Sequence, residues 1–266
     1  MFVLDRLKNR MQEMGIRPNK TLGQNFLVSQ NVIDKIIQAA VHCEAKEYIE
    51  VGPGPGALTD LLLENQLKPS LIEMDKKIAE YWQSQGLNVI QGDALKQNWS
   101  ELIQTDDCCF VSNLPYQISS SIVIDRSIGP KQVRNMILMF QKEVAQRIVA
   151  PEGGKDYGLL SVIAQSFWEI EKVTEAGPKD FFPPPKVASR VLKFTRKEND
   201  VDGIKLLKLT KAAFAQRRKK LLKNLSSFSL DQESLKNELK KWGYAESVRA
   251  EQLKVEEFQS IVKNFL

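Results

Sequence analysis

The sequence predicts an α/β fold in which helices cover a parallel β-sheet, followed by a smaller all-helical domain. Short β-prone runs alternate with helical patterns along most of the chain, which is typical of a sheet wrapped by helices. In the run 135–140 every residue after Asn135 is apolar, as expected of a central strand that is covered on both faces. Beyond Arg196 the chain becomes polar and then helical in pattern.

The first part of the chain gives the alternation. Apolar residues at 33, 36, 37, 40 and 41 follow a helical period, which predicts a helix over about 30–42. The following segments are predicted in turn as strand 48–51, helix 57–66, strand 70–73, helix 75–85 and strand 88–91.

The later elements are strands 108–112 and 135–140, helix 157–168 and strand 189–195. We expect the last strand to be antiparallel at the end of the sheet. The prolines 183–185 exclude a helix interior or a central strand, so this segment is predicted as a loop.

The polar segment 196–203 is turn-prone, and we place the domain boundary there, giving domains 1–197 and 198–266. In the second domain Ser229 or Asp231 is expected to cap a helix that Gly243 ends. A last helix is predicted over about 255–264.

Charge is concentrated in the second domain. The net charge is +5, but no acidic residue lies between Gly203 and Asp231. A segment this basic predicts a surface that contacts phosphates. The alternative is a solvated helix face opposite the apolar positions 214, 221, 222 and 225. The predicted RNA-binding residues are Arg217, Arg218, Lys219, Lys220 and Lys223.

Composition argues against several classes of protein. No apolar run approaches the roughly 20 residues of a membrane span, and the N-terminus does not resemble a secretory signal, so we expect a soluble cytoplasmic protein. The adjacent Cys108 and Cys109, with Cys43, give neither a zinc-site spacing nor an easy disulfide. His42, the one histidine, is expected at the surface at a helix end. No metal site is predicted.

A glycine loop follows the first predicted strand of the alternation. Gly52, Gly54 and Ala57 match the dinucleotide fingerprint G-x-G-x-x-A, and Glu73 follows at the distance of a ribose-binding acid. The same features suit the adenosine of S-adenosylmethionine, so the loop alone does not separate the two cofactors. Gly56 completes the loop.

Acidic residues favour the sulfonium cofactor. Glu50 precedes the loop, where a carboxylate would repel a pyrophosphate but suit the cationic methionine end of S-adenosylmethionine. Pro55 also removes a backbone N–H that a pyrophosphate would use. Asp93 follows the third strand and could accept from the adenine amine, although Glu73 and Asp93 could each be capping or loop acids.

The segment Asn113-Leu114-Pro115-Tyr116 follows the fourth strand, at the edge of an open sheet where ligands bind. An adenine amine is a weak nucleophile, so it must be held with its lone pair toward the methyl group. The Asn113 side-chain oxygen and the Leu114 carbonyl could accept its two hydrogens, with Pro115 fixing the turn. Tyr116 could stack on an extruded base. The alternative is an ordinary turn after a strand.

These motifs resemble the KsgA/Dim family of rRNA adenine N6,N6-dimethyltransferases. The resemblance covers nearly the whole chain, including LGQNFL at 22–27, EVGPGPGALT at 50–59, NLPYQIS at 113–119, FFPPPKV at 181–187 and AFAQRRKKLLKNL at 213–225. It implies a Rossmann-like class I methyltransferase domain with a small helical C-terminal domain. It also implies dimethylation of two adjacent adenines in the 3′-terminal hairpin loop of small-subunit rRNA, within an immature 30S subunit.

The resemblance also implies site residues. The family's cofactor-binding positions correspond to Asn25, Leu27, Gly52, Glu73, Asp93 and Asn113, and the aromatics thought to flank the target base correspond to Tyr116 and Phe181. Ser112 and Gln117 stand where the family commonly has Gly and Asn. Neither change removes the proposed acceptors, so we expect at most an altered rate.

The main alternatives are an Erm-type methyltransferase of large-subunit rRNA and a ribosome-assembly factor with little catalysis. A DNA adenine methyltransferase is less favoured, and the glycine loop alone also permits a dehydrogenase. The FFPPPKV and AFAQRRK segments argue against the Erm type. The intact glycine loop and Asn113 argue against a purely non-catalytic role. The protein is expected to be a monomer.

Overall fold

A computed structural model of the chain describes residues 2–19, 23–228 and 231–266. The chain divides into two compact units, one formed by Met1–Ala145 with Ile170–Arg196 and one by Gln146–Glu169 with Lys197–Leu266. The first unit ends at Arg196, and the second resumes at Lys197. The predicted first domain, 1–197, differs in one respect, because residues 146–169 group with the C-terminal helices.

The first unit is built on a seven-stranded sheet with the order β4-β3-β2-β5-β6-β9-β7. Strands β2 to β6 pair in parallel, and β9 is antiparallel to β6. The strands are β2 (Glu47–Val51), β3 (Pro69–Glu73), β4 (Val89–Gln91), β5 (Cys108–Asn113), β6 (Val133–Gln141), β7 (Trp168–Ala176) and β9 (Ser189–Arg196).

The strand order reverses between β2 and β5. From β2 the chain runs outward to β3 and β4, and then crosses back to place β5 on the other side of β2. At such a reversal the loops that leave the two strands diverge and open a crevice at the carboxyl ends. The sheet therefore has a ligand-binding edge at the positions where the glycine loop and the Asn113 loop begin.

Helices cover the sheet because each presents one apolar face. In α2, Ile33, Ile36 and Ile37 are buried, and the first turn of α4 is capped by the Asp75 carboxylate, which accepts from two backbone N–H groups. The helices before residue 146 are α1 (Val3–Glu13), α2 (Gln30–Val41), α3 (Thr59–Glu64), α4 (Lys76–Ser84), α5 (Trp99–Leu102) and α6 (Ser119–Ile128), while α7 (Lys142–Ile148) crosses the division between the units.

A short antiparallel ribbon joins two distant motifs. Strand β1 (Phe26–Leu27) pairs with β8 (Phe181–Phe182), and Phe26 stands opposite Phe182. The ribbon brings the end of the LGQNFL segment against the start of FFPPPKV. Leu22 itself lies outside the described residues. The prolines 183–185 form a loop, as predicted.

The second unit is helical, with α8 (Leu159–Phe167), α9 (Gly203–Ala213), α10 (Leu221–Asn224), α11 (Gln232–Lys241) and α12 (Val255–Phe265). Helix α8 packs on α9 and α12, and Phe214 stacks on Phe258 with ring centroids 5.8 Å apart. This packing explains why residues 146–169 belong with the C-terminal helices. Asp231 caps α11, as predicted, whereas the other candidate, Ser229, lies outside the described residues.

The predicted elements are present with bounds shifted by a few residues, and β9 is antiparallel as expected. The prediction that this strand ends the sheet is wrong, because β7 lies beyond it. Strand β7 was not predicted, since an edge strand keeps charged residues such as Glu169, Glu171 and Glu175 in solvent. His42 is exposed at the end of α2, as expected.

Within the described ranges, no helix has the length and apolar character needed to cross a bilayer. The same residues contain no group of three or more histidine, cysteine or acidic side chains placed to hold a metal ion.

Candidate active site

A cleft opens at the carboxyl ends of β2, β3, β4 and β5, with about 890 Å³ of empty space. Five chain segments that are distant in the sequence form its wall. They are residues 23–26, the glycine loop with Val51, Gly52 and Gly54, the ends of β3 and β4 with 72–74 and 92–94, and 113–118.

At two of its positions the glycine loop lies too close to its neighbours to hold a side chain. At Gly54 a Cβ atom would stand 2.8 Å from the Phe26 ring, and at Gly56 it would stand 2.3 Å from the Arg10 guanidinium and 2.6 Å from the Trp82 ring. Both glycines also have positive φ, +53° and +92°, which other residues rarely adopt. Gly54 lines the cleft, whereas Gly56 serves packing behind it.

Two side chains outside the loop fix its conformation. The Trp82 indole N–H donates to the Gly54 carbonyl at 2.9 Å. Arg10 of α1 donates to the Pro55 carbonyl and to the Asp60 carboxylate, both at 2.8 Å, and lies over the Trp82 ring at 5.0 Å. Neither residue was predicted to belong to the site, because they are 45 and 28 residues away from the groups that they bind and carry no local motif.

Glu50 is fully buried beneath the loop and does not line the cleft. The Thr59 hydroxyl donates to its carboxylate at 2.7 Å. Loss of hydration raises the pKa of Glu50 to about 8, and the Thr59 hydrogen bond opposes this rise only in part. The carboxyl group can therefore gain or lose a proton near neutral pH in response to a charge placed nearby.

Glu73 and Asp93 both line the cleft. One Glu73 oxygen accepts from the Asp75 backbone N–H at 2.8 Å. Burial raises the pKa of Glu73, while hydrogen bonds from backbone N–H groups, including that of Gly54, oppose the rise. One Asp93 oxygen accepts from the Leu95 N–H at 3.0 Å. Asp93 thus caps a turn, as the alternative interpretation stated, and still borders the cleft.

Asn113 is oriented by a hydrogen bond across the cleft floor. Its side-chain NH₂ donates to the backbone carbonyl of Asn25 at 3.0 Å, and the Asn25 side chain donates to the Gly23 carbonyl at 3.2 Å. Because the NH₂ group is engaged, the amide oxygen of Asn113 points away from Asn25. No hydrogen bond to that oxygen comes from the described residues, so it is available as an acceptor.

The carbonyls of the 113–116 loop differ in their partners. The Pro115 carbonyl accepts from the Ile118 N–H at 3.1 Å, and the Tyr116 carbonyl accepts from the Ser119 hydroxyl at 2.9 Å. Among the described residues, none donates to the Leu114 carbonyl. Within the described part of the chain, the Asn113 amide oxygen and the Leu114 carbonyl are therefore left without a hydrogen-bond donor.

Tyr116 lines the cleft, and its hydroxyl is 2.8 Å from the hydroxyl of Ser189. Ser189 is fully buried at the start of β9. Burial raises the pKa of Tyr116, so the phenol stays neutral. The bond fixes the ring against rotation out of the cleft, a function for Ser189 that the sequence did not reveal.

Ser112, which stands where a glycine is common, bridges β5 and β2. Its buried hydroxyl donates to the Val51 carbonyl at 2.5 Å. The departure from the expected glycine therefore fastens together the two strand ends from which the glycine loop and the Asn113 loop emerge.

A family model for ribosomal RNA adenine dimethylases matches residues 15–266. The chain belongs to this family. It is therefore an rRNA methyltransferase enzyme of the adenine dimethylase type. The identification from the sequence motifs is confirmed. Three of the segments that carried it, LGQNFL, EVGPGPGALT and NLPYQIS, contribute residues to the cleft, and residues 26–27 pair with 181–182 of FFPPPKV in the β1/β8 ribbon.

Curated relatives of this family align with the chain over nearly their whole length. The ribosomal RNA small subunit methyltransferase A of Bdellovibrio bacteriovorus is 53% identical over 266 residues, covering 98% of this chain and 97% of the relative. The protein of the same name from Syntrophotalea carbinolica is 38% identical, covering 94% of this chain and 97% of that protein.

Solved structures confirm the Rossmann-like class I methyltransferase fold. A dimethyladenosine transferase from Plasmodium falciparum has a TM-score of 0.69 at 24% identity, covering 90% of this chain and 96% of that one. The 23S rRNA methyltransferase ErmE has a TM-score of 0.65 at 19% identity, covering 90% and 98%. Because both kinds of enzyme match, the fold does not distinguish their substrates.

Most of the predicted site residues of this family member come together in the cleft. The exceptions are Leu27, Glu50, Gly56 and Phe181, which do not line it. Leu27 and Phe181 are buried in the core and oppose each other in the β1/β8 ribbon. Their side chains support the wall from behind.

The predicted RNA-binding residues lie in the second unit. Arg217 to Lys220 form the turn between α9 and α10, not a helix face as the alternative interpretation assumed, and Lys223 lies in α10. The Arg217 guanidinium pairs with Glu251 at 3.0 Å. Leu221 and Leu225 are buried, as expected. Arg218, Lys220 and Lys223 are exposed.

The buried carboxyl group of Glu50 generates a prediction for stability. Its pKa rises from an ordinary value of 4.5 in the unfolded chain to about 8 in the folded one, so protonation favours folding. The contribution is fully present below pH 4.5 and is lost as the pH rises toward 8. In Glu50→Gln this loss is absent. We expect the unfolding free energy of the variant, relative to the wild type, to increase by up to about 1.4 kcal/mol per pH unit over this window.

Urea denaturation of both proteins at several pH values between 5 and 8 measures this difference. Glu64→Gln, the same substitution at an exposed position of α3, is the matched control and should not show the divergence. Parallel stability curves for the wild type and Glu50→Gln would contradict the assignment.

Proposed function

We propose that this protein uses S-adenosylmethionine to dimethylate the N6 amines of two adjacent adenines in the 3′-terminal hairpin loop of 16S rRNA. Its substrate is then an immature 30S subunit, and the enzyme acts in small-subunit biogenesis. The observation that carries the proposal is the orientation of Asn113. Its engaged NH₂ group leaves the amide oxygen free beside a free Leu114 carbonyl.

The cleft fits S-adenosylmethionine by its donor set and by its shape. Gly52 and Gly54 line the cleft without side chains, so backbone can approach the ligand. Glu73 is placed to bind the ribose hydroxyls, Asp93 the adenine amine, and Asn25, Gly52 and Gly54 border the same space. When bound, the cofactor supplies an electrophilic methyl group on a sulfonium. Glu50 faces this charge from beneath the loop and stabilises it when ionised.

The residues of the 113–116 loop prepare the amine for attack. The Asn113 amide oxygen and the Leu114 carbonyl accept the two N6 hydrogens, which turns the nitrogen lone pair toward the methyl group. The same dipoles stabilise the positive charge that develops on nitrogen. No strong base is required, because the methylated amine loses its proton readily to solvent. Catalysis therefore rests on alignment.

Tyr116 provides the stacking surface for the target base, since it lines the cleft and is held by Ser189. The family resemblance assigns a similar contact to Phe181. Its burial in the ribbon supports instead a role in fixing the wall of the cleft. In this proposal Phe181 helps to hold the neighbouring strand β1 in place, and with it Phe26, which lines the cleft.

The basic segment of the second unit is proposed to hold the rRNA backbone. Its exposed members are Arg218, Lys220 and Lys223, which are available to phosphates. Arg217 pairs with Glu251 and would exchange this partner for a phosphate. The protein is proposed to act as a cytoplasmic monomer, with the two units corresponding to a methyltransferase domain and an RNA-binding domain.

The alignment role predicts the effect of Asn113→Ala. Loss of one preorganised group typically lowers kcat by roughly 10²–10³-fold, and we expect a loss of this size with cofactor affinity reduced much less. The assay is methyl transfer to small subunits from a strain lacking the gene, with primer extension across the 3′ end of 16S rRNA to locate the products. Asn88→Ala, at an exposed position outside the cleft, is the matched control.

Dimethylation by Asn113→Ala at the wild-type rate would disprove the alignment mechanism. Methylation of large-subunit rRNA in place of small-subunit rRNA would support the Erm-type alternative. Methylation absent from the wild type, with subunit binding intact, would support the assembly-factor alternative.

The bond between Tyr116 and Ser189 predicts a coupled pair. Tyr116→Phe and Ser189→Ala each remove it, and each should lower kcat by about 3–10-fold, the usual worth of one hydrogen bond. Because both variants lose the same interaction, the double variant should be no slower than the slower single one. Single-turnover rates at saturating cofactor measure this. If the kcat of the double variant falls by the product of the two single losses, the two residues act separately.

The basic segment predicts salt-dependent binding. Arg218→Gln with Lys220→Gln removes two phosphate-binding charges, so the slope of log affinity against log salt should fall by about 1.4–1.8. Cofactor affinity should not change. Lys240→Gln with Lys241→Gln removes the same charge from exposed positions of α11 and should leave the slope unchanged. Equal slopes for both double variants would contradict a specific role for this segment.

A further inference from the structure

A second groove lies beside the β1/β8 ribbon in the first unit, with about 1020 Å³ of empty space. One wall is the face of α1 that carries Lys8, and another is the loop after α1 with Ile16 and Arg17. The third wall is the half-buried Phe182. None of the residues proposed to bind the cofactor, the target adenine or the rRNA phosphates lines this groove.

The position of the groove relates it to the catalytic cleft. Phe182 stands opposite Phe26 in the ribbon. Phe26 lines the cleft and Phe182 lines the groove, so the ribbon is the partition between the two. The groove is therefore within reach of nucleotides that flank a base held in the cleft.

The chemistry of the groove suits a nucleotide. Lys8 and Arg17 are exposed, and neither forms an ion pair with a carboxylate in the described part of the chain. The Lys8 ammonium lies 5.2 Å from the centre of the Phe182 ring. An aromatic face beside two unpaired cations is the combination that binds single-stranded nucleic acid, with the ring for a base and the cations for phosphates.

The loop that carries Arg17 is held in place. Helix α1 ends at a turn in which Gly15 has φ +62° and the Ile16 N–H donates to the Met11 carbonyl at 2.9 Å. Lys77 of α4 donates to the Gly15 carbonyl at 3.0 Å. Arg17 therefore projects from a fixed turn, which lowers the entropy lost on binding.

We propose that this groove is a subsite for an unpaired nucleotide flanking the target adenine. The base stacks on Phe182 in the place of the Lys8 ammonium, and Lys8 and Arg17 bind the adjoining phosphates. The inference rests on the proposed function, and it adds a reason for a single-stranded substrate, because a base held in a duplex cannot reach the ring.

Two sets of variants test the subsite. Lys8→Gln with Arg17→Gln should weaken binding of a fluorescent single-stranded RNA of about ten nucleotides, and should lower the salt slope by about 1.4. Phe182→Leu should weaken binding at least about fivefold, whereas Phe182→Tyr, which keeps the ring, should bind like the wild type. Each variant should also raise KM for unmethylated small subunits, with KM for S-adenosylmethionine unchanged.

The matched control is Lys35→Gln with Lys68→Gln, which removes the same charge from exposed positions of the first unit that line neither cavity. RNA binding by the groove variants equal to that of this control overturns the inference. A loss with Lys8 and Arg17 but none with Phe182→Leu overturns the stacking subsite. Weaker binding to subunits without weaker binding to the RNA oligonucleotide indicates a protein partner and also overturns it. Failure of the wild type to methylate small subunits would refute the proposed function alone, because oligonucleotide binding is scored separately.

Discussion

The carboxyl ends of β2 and β5 stand side by side, and the rest of the site depends on how they are held. The Ser112 hydroxyl joins the end of β5 to the Val51 carbonyl, and the Asn113 amide joins the next residue to the Asn25 carbonyl. These two hydrogen bonds connect the glycine loop, the 113–116 loop and the segment before β1 at one point. A shift of either strand would change the direction of the Asn113 oxygen as well as the width of the cofactor cleft.

The loops are also supported from behind by groups that do not line the cleft. Arg10 and Trp82 bind carbonyls of the glycine loop and occupy the space that a side chain at Gly56 would need. Ser189 plays the corresponding part for Tyr116. An enzyme that works by aligning two reactants gains little from strong acids or bases and much from rigid supports. The buried, hydrogen-bonded residues behind the cleft meet this requirement.

Glu50 shows how a buried carboxyl group can respond to a bound ligand. Its burial is unfavourable for the ionised form, and its pKa rises to about 8. In our proposal a cationic cofactor offsets this cost by stabilising the carboxylate. Cofactor binding then shifts the carboxyl group toward its ionised form and releases a proton, which links cofactor binding to the protonation of a residue outside the cleft wall.

The sequence by itself determined the alternating elements, the glycine loop, the acids that follow the strands and the Asn113 loop, because short-range periodicity and turn chemistry encode each of them locally. It also identified the family. Only the tertiary structure decided which of these residues share the cleft, and it placed Leu27, Glu50, Gly56 and Phe181 behind the wall. It also revealed Arg10, Trp82 and Ser189, whose partners lie 45, 28 and 73 residues away. Their roles come from long-range packing and hydrogen bonds, which leave no periodic signal in the chain.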